Sequence, residues 1–210
     1  MDPHNVTEGW KWLTSMQDHK GANHQGPSRL STITSEPQQN MATQDLARAA
    51  GWYRFEQVEQ YIPREHKLFR ASSPNYMGFD SSLKLTPAAL QFIKTQGIVG
   101  LVSFNQCSYS DAEQKSLKEA GISFLHLPVK DFTAASPDQL DQLYRFFLEH
   151  DATLVHCGYG HGRTGTGVTA IQLHLTSGGH PPEEEWGPIN HVEKEVQMDA
   201  LRELRAKLDK

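Results

Sequence analysis

The stretch VHCGYGHGRTGT, residues 155–166, sets the order of the elements around it. An apolar run, Leu154 and Val155, enters it, and a helix-like run, Thr166 to Leu175, leaves it. Between them lie Cys157, then five residues of which three are glycine, then Arg163. This spacing predicts a buried strand, a tight turn and a helix. A cysteine at that turn is a useful nucleophile only as thiolate. A helix N-terminus favours the anion through its dipole and its unpaired N–H groups. Gly158, Gly160 and Gly162 let the backbone curl so that several N–H groups converge on one centre. Arg163 adds a planar fork that matches two phosphate oxygens. The expected product is a cup for a tetrahedral dianion with sulfur at its base. Such a cup suits phosphoryl transfer to sulfur followed by hydrolysis. No metal or cofactor is expected, because Arg163 and the backbone dipoles stabilise the charge. Zinc held by His156, Cys157 and His161 is a poor fit to the usual ligand sets.

Working outward, TLVHC (153–157) reads as the strand and Thr164 to Ser177 as the helix, stopped by Gly178 and Gly179. Before them, SPDQLDQLYRFFLEH has Ser136 as N-cap and Pro137 in the first turn. Leu140, Leu143, Tyr144, Phe147 and Leu148 share one face of that helix. ISFLHLPV (122–129), IVGLVSF (98–104) and KLFRASSP, ending at Pro74, are of strand length. WYRFEQVEQYI supplies a candidate first strand. LTPAALQFIKTQG is a helix capped by Thr86 and stopped by Gly97, and SDAEQKSLKEAG is a polar surface helix ending at Gly121. HPPEEEWGP reads as a loop. Ile189 to Leu208 reads as a closing helix with Val192, Val196, Leu201, Leu204 and Leu208 turned inward. Alternating strands and helices predict an α/β domain. Its centre is a mostly parallel twisted sheet of about four to five strands, flanked by helices on both faces.

The chain has 210 residues, enough for one packed domain and an extension. Residues 1–50 read as that extension, since 15–44 are polar without a sustained period. Trp10, Trp12 and Leu13 form a candidate anchor, and Thr43 to Ala50 a short helix ending at Gly51. A net charge of −5 argues against a nucleic-acid binder. No apolar run approaches the ~18 residues of a membrane span. The first residues, MDPHNVTEGWKW, lack the basic start and apolar stretch of a cleavable signal. Two cysteines, Cys107 and Cys157, make no disulfide framework and point to a reducing compartment, hence a cytoplasmic location. The alternative location is outside the cell, by a non-classical secretion signal in the extension.

HCGYGHGRTGT resembles the His-Cys-x5-Arg-Ser/Thr signature of the cysteine-based protein phosphatases, most closely the small atypical dual-specificity phosphatases. LPVKDFTAASPDQLDQLYRFF resembles their acid loop and following helix. KLFRASSP and GIVGLVSFN resemble their early strands, and VEKEVQMDALREL, more loosely, their closing helix. The resemblance implies a protein tyrosine phosphatase-like domain over residues 51–210. It implies hydrolysis of phosphotyrosine or phosphoserine/threonine in a phosphorylated protein partner through a phosphocysteine intermediate. Cys157 matches the nucleophile and Arg163 the phosphate-binding arginine. Thr164 matches the hydroxyl that assists the departing sulfur, and His156 the histidine that orders the loop. Asp131 matches the general acid. Gly158, Tyr159, Gly160, His161 and Gly162 match the backbone that cradles phosphate. The same chemistry on a phosphoinositide, an inositol phosphate or an RNA 5′-phosphate is the alternative, as is a phospho-binding module without turnover.

The residues support Asp131 independently, because it follows a strand end on a loop, where an acid can reach the cup. Its rivals are Asp138, which suits a helix dipole, and Asp141, on a helix surface. Tyr159 and His161 are candidates for the pocket rim. Arg163 is the single cation in the loop, which leans toward a simple phosphoester, with Lys130 and Arg70 as other cations able to approach. Cys107 is a packing residue or a partner for a reversible disulfide with Cys157. Segment 178–190 departs from the family pattern.

Overall fold

A computed structural model describes residues 36–209. The candidate anchor Trp10, Trp12 and Leu13 and most of the polar extension lie outside the described residues. Helix α1 spans Glu36–Ala49, starting earlier than the expected Thr43. Ala47 on α1 is fully buried beside Trp52 in the hydrophobic core.

The strands are β1 (Glu56–Val58), β2 (Lys67–Ser72), β3 (Gly100–Ser103), β4 (Ser123–His126) and β5 (Ala152–Cys157). They form one sheet in the order β1-β2-β5-β3-β4. Only the short edge pair β1–β2 is antiparallel; β2–β5, β5–β3 and β3–β4 are parallel. The helices between them are α2 (Pro87–Thr95), α3 (Asp111–Glu119), α4 (Pro137–Leu148) and α5 (Gly162–Leu175). The chain closes with α6 (Glu183–Trp186) and α7 (Glu195–Leu208). None of the described helices is long and apolar enough to cross a membrane.

Side chains alternate along each strand, so neighbouring residues feed opposite layers. Leu68, Val102 and Val155 pack with Leu143 and Phe147 of α4, Ile171 of α5 and Leu201 of α7. Phe69, Leu101 and Leu154 pack with Phe92 and Ile93 of α2 and Leu117 of α3. This is the expected α/β sandwich with helices on both faces. Its expected starts hold where a side chain caps the first turn. Thr86 accepts from Ala89 N, and Ser136 forms a capping box with Gln139.

Three local expectations need correction. The first strand is only three residues long, because Arg54 and Tyr61 take positive φ on either side of it. On α4, Leu148 is exposed rather than inward. The closing helix starts at Glu195, not Ile189; Val192 is buried from a loop and Val196 faces solvent. The loop before it contains a one-turn helix, α6, whose Trp186 is fully buried and donates Nε1–H to Pro181 O. A tryptophan that hides its ring and satisfies its N–H anchors a loop despite polar neighbours.

Candidate active site

The parallel register carries the site to one edge of the sheet. Ser72 pairs with Cys157 across β2–β5, and Ser103 pairs with His156 across β3–β5. Loops leaving β2, β3, β4 and β5 therefore meet above the C-terminal end of β5, where open parallel sheets hold ligands. The loop from β5 turns straight into α5, which is buried along most of its length. Gly160 has φ +97, and a Cβ there would lie 2.7 Å from Ser72 N, so the loop rests on the end of β2.

Cys157 is 3% exposed. Its Sγ accepts from Gly160 N–H at 3.3 Å, and as a thiol it donates to His161 O at 3.5 Å. Among the described residues, no protein acceptor takes the N–H of Tyr159 or His161, so both are unpaired within the protein. His156 is fully buried and pushed down to about 4, first by burial and next against its bond to Cys157 O. A neutral ring fits both of its contacts. Nδ1 lies 3.3 Å from Cys157 O and Nε2 lies 3.0 Å from the Tyr109 hydroxyl. The consistent arrangement has Nδ1–H donating to the carbonyl and Nε2 accepting from Tyr109.

Arg163 stands at the back of the cup, 5% exposed. Nη1 donates to Val129 O at 3.0 Å and Phe104 O at 3.3 Å, tying the loops after β4 and β3 to α5. Nη1 and Nη2 also grip both oxygens of Asp80, at 2.6 and 2.9 Å. Asp131 comes from the loop after β4, and its Oδ1 lies 2.9 Å from Arg163 Nη2. The Asp131 side chain is 49% exposed, so it borders the opening. Thr164 Oγ1 is buried with no hydrogen-bond partner among the described residues, so no bond to Cys157 Sγ is formed here.

A cavity of about 250 Å³ opens over Cys157. Aromatic side chains of Tyr76, Phe132 and Tyr159 wall it, with Asp131, Glu193 and Gln197 between them. Arg163 is its single lining cation apart from the neutral-leaning His161. His161 stacks on His191 at 4.3 Å and is pushed down to about 4, by burial first and then by His191 and nearby arginines.

Asp138 and Asp141 do not line this cavity; Asp141 pairs with Lys207 at 2.7 Å. Lys130 is exposed outside it. Arg70 lies behind the loop, 2% exposed, donating to Gly160 O and Asn190 O at 2.9 Å each. Segment 178–190 thus supports the loop from behind through Asn190. Cys107 is exposed and free, while Cys157 is buried and free.

Asp80 and Gln197 escaped the sequence reading. Asp80 sits in a 3-10 turn, Asp80–Ser82, after β2. The available signal was topological: the loop after β2 must lie at the same sheet edge as Cys157. Gln197 on α7 is buried, accepts from Glu193 N and Lys194 N at 3.1 Å each, and donates to Thr133 O at 3.1 Å. It joins the Asp131 loop to the start of α7.

A parallel sheet that carries a buried cysteine into a glycine-rich arginine loop is the architecture of the cysteine-based phosphatases, and the chain has the atypical dual-specificity type of that fold. The family model for the Swiss Army Knife protein, DSP-PTPase phosphatase domain (PTP-SAK), matches residues 86–208, and the chain belongs to that family. Solved structures share the fold. Kinase associated phosphatase (KAP), with its catalytic site cysteine replaced by serine, is 18% identical with a TM-score of 0.52, covering 68% of this chain and 88% of that one. PTPMT1 in complex with PI(5)P is 19% identical with a TM-score of 0.52, covering 68% and 92%. The core catalytic domain of PP-IP phosphatase SIW14 from S. cerevisiae, in complex with citrate, is 14% identical with a TM-score of 0.51, covering 74% and 90%.

Proposed function

We propose that this chain is a metal-independent phosphomonoester hydrolase acting on phosphorylated proteins in the cytoplasm. The observation that carries the chemistry is the convergence of Cys157 Sγ, the Gly160 N–H, the Arg163 fork and the Asp131 carboxyl on one cavity. Cys157 thiolate attacks phosphorus; the bond to the leaving oxygen breaks as Asp131 gives that oxygen its proton. A phosphocysteine and a free alcohol result. Water then attacks phosphorus, Asp131 carboxylate takes a proton from it, and the S–P bond breaks to return thiolate and phosphate. The unpartnered Thr164 hydroxyl is free to donate to the departing sulfur. Arg163 and the loop N–H groups hold the equatorial oxygens in both steps.

The rim supports a protein ester over a polyphosphorylated ring. Tyr76, Phe132 and Tyr159 offer apolar walls to a side chain, whereas Asp131 and Glu193 repel additional phosphates. PTPMT1, crystallised with PI(5)P, and the PP-IP phosphatase SIW14 keep phosphoinositide and inositol phosphate substrates as the competing reading.

The test uses p-nitrophenyl phosphate with a chelator present, then a panel of phosphotyrosine, phosphoserine and phosphothreonine peptides, phosphoinositides and inositol phosphates at matched concentration. Hydrolysis without metal, inhibition by vanadate and preference for phosphopeptides are expected. Cys157→Ser abolishes turnover and retains binding; a Cys157→Ser protein as active as wild type ends the mechanism. Asp131→Asn lowers kcat by about 10²–10⁴-fold for poor leaving groups and less for p-nitrophenol. Preference for a phosphoinositide replaces the proposed substrate while keeping the chemistry.

A further inference from the structure

The loop over Cys157 is gripped from outside by two arginines on successive carbonyls. Arg54 Nη1 donates to Tyr159 O at 3.0 Å. Arg70 Nη2 donates to Gly160 O at 2.9 Å. Both residues lie upstream of the matched family segment, 86–208.

The peptide between Tyr159 and Gly160 makes the arrangement informative. In a trans peptide the C=O and N–H point in opposite directions across one rigid plane. The oxygen of this plane is held by Arg54, and its N–H is the donor that reaches Cys157 Sγ at 3.3 Å. A cation on the oxygen therefore fixes the direction of the N–H. It also polarises the amide and strengthens its donation. The next plane runs from Gly160 C=O to the His161 N–H, which has no protein acceptor among the described residues. Arg70 holds that plane's oxygen.

Neither arginine is placed by chance of surface sampling alone. Tyr53 N donates to Ser72 Oγ at 3.0 Å and Ser72 N donates to Tyr53 O at 2.8 Å. Ser72 is the register partner of Cys157, so Arg54 is fixed one residue from a strand end that abuts the nucleophile. Its guanidinium also lies 3.4 Å from the centre of the Tyr159 ring, a cation–π contact that holds the loop side chain together with the carbonyl. Arg70 is buried, and its second nitrogen is spent on Asn190 O.

We infer that Arg54 and Arg70 are positioning residues that grip the Tyr159 and Gly160 carbonyls and so aim the Gly160 and His161 N–H groups into the cup, at sulfur and at the phosphate oxygens. This rests on the reading of Cys157 as nucleophile. The other charged or titratable groups that share the cavity with that sulfur are Tyr76, Asp131, His161, Arg163 and Glu193, with His156 next to it in the chain and Asp80 held on Arg163. None of them contacts the two carbonyls.

The experiment is alkylation of Cys157 by iodoacetamide from about pH 5 to about pH 9, followed on its own peptide by mass spectrometry so that Cys107 is counted separately. Wild type, Arg54→Met, Arg54→Lys and Arg70→Met proteins are compared. At about pH 6 the Arg54→Met protein is expected to react about tenfold more slowly than wild type, and to converge with it at high pH. Arg54→Lys recovers part of the loss, and Arg70→Met shows a loss of the same kind. Arg54 is exposed, so its methionine variant retains the fold even if Arg70→Met does not. Equal rates for Arg54→Met and wild type at every pH overturn the inference, and so does a slowing that is the same at every pH. Alkylation reads the sulfur whether or not any ester is hydrolysed. Failure of the hydrolase reading and failure of this one are therefore separate results.

Discussion

Arg163 and Asp80 meet fork to fork, with Nη1 2.6 Å from Oδ2 and Nη2 2.9 Å from Oδ1, across 83 residues of chain. Both side chains are almost out of water, at 3% and 12% exposure. Gln106 N–H adds a third bond to Asp80 Oδ2 at 2.8 Å. The pair uses the terminal edge of the guanidinium, and no protein group holds Nε among the described residues. The Nε edge is therefore the one available to a phosphate in the proposed reaction.

Replacing Asp80 by Asn keeps the volume and removes the charge that faces Arg163. Removing one member of a buried pair costs ~3–5 kcal/mol, with the lower end expected here because Asp131 also stands by Arg163. Urea unfolding of Asp80→Asn at neutral pH checks this. Vanadate affinity is expected to weaken as well, since the fork loses its orientation.

The same pair sets an acid dependence. Burial alone raises the Asp80 carboxyl, but the Arg163 fork and the Gln106 N–H outweigh it, leaving the group below its ordinary value. A carboxyl depressed in the folded state stabilises the fold above its unfolded value. That contribution disappears as pH falls through the folded value. The stability gap between wild type and Asp80→Asn should therefore be full at neutral pH and narrow in acid. A gap of constant size down to strongly acid pH contradicts the assignment.

His156 loses stability in the same direction, toward acid, but from burial rather than from an ion pair. Its ring is held at about 4 against an ordinary 6.5, so the unfolded chain takes up its proton first as pH falls. Its contribution to stability is flat above about 6.5 and declines from there toward about 4. Nitrogen NMR should find a neutral ring with the proton on Nδ1 throughout the neutral range. Tyr109→Phe leaves Nε2 without its donor and is expected to cost ~1–3 kcal/mol in thermal or urea unfolding.

Gly165 sits on α5 directly beneath the chain leading to the rim. A Cβ there would fall 2.2 Å from Asn190 O and 2.8 Å from His191 C. Gly165→Ala must push segment 190–193 away from α5, at a cost of ~1–3 kcal/mol for overpacking. Because Asn190 O takes an Arg70 hydrogen and Glu193 lines the cavity, activity should fall along with the unfolding midpoint. Normal activity and stability in Gly165→Ala contradict this packing.

Phe132 is 62% exposed at the mouth and takes φ 61, with Lys194 4.9 Å over its ring. Phe132→Ala removes an apolar wall but leaves the Asp131 carboxyl in place. KM for an aryl phosphate is expected to rise about 3–10-fold, with kcat changed less, since the lost contact is shared by ground and transition states. Steady-state kinetics with p-nitrophenyl phosphate measure the split.

The sequence was most legible where function is local. Cys157, the glycines and Arg163 fall within one turn and one helix start, so their spacing already describes the cup. Asp131 was legible because a strand end and a capped helix bracket its loop. Asp80 was not, because its partner lies far along the chain and its surroundings, YMGFDSS, have no period. Only the order β2-β5 brings it to Arg163. Arg70 was considered as a cation that could reach the pocket, but its position on β2 turns it behind the loop. The stretch HPPEEEWGP read as a loop because its buried residues, Pro181 and Trp186, are too few and too irregularly spaced to make a pattern.

The strand order also bears on how this protein can be cut. A fragment beginning at Thr86 would retain the cysteine, Arg163, Asp131 and all of α7. It would lose β1 and β2, and β2 is the inner neighbour of β5. Stripped of it, β5 becomes a raw edge of six buried residues with unpaired backbone groups along its length. Such edges recruit other strands. A truncation drawn at the limits of the recognisable signature is therefore expected to sediment as aggregate instead of yielding a smaller enzyme.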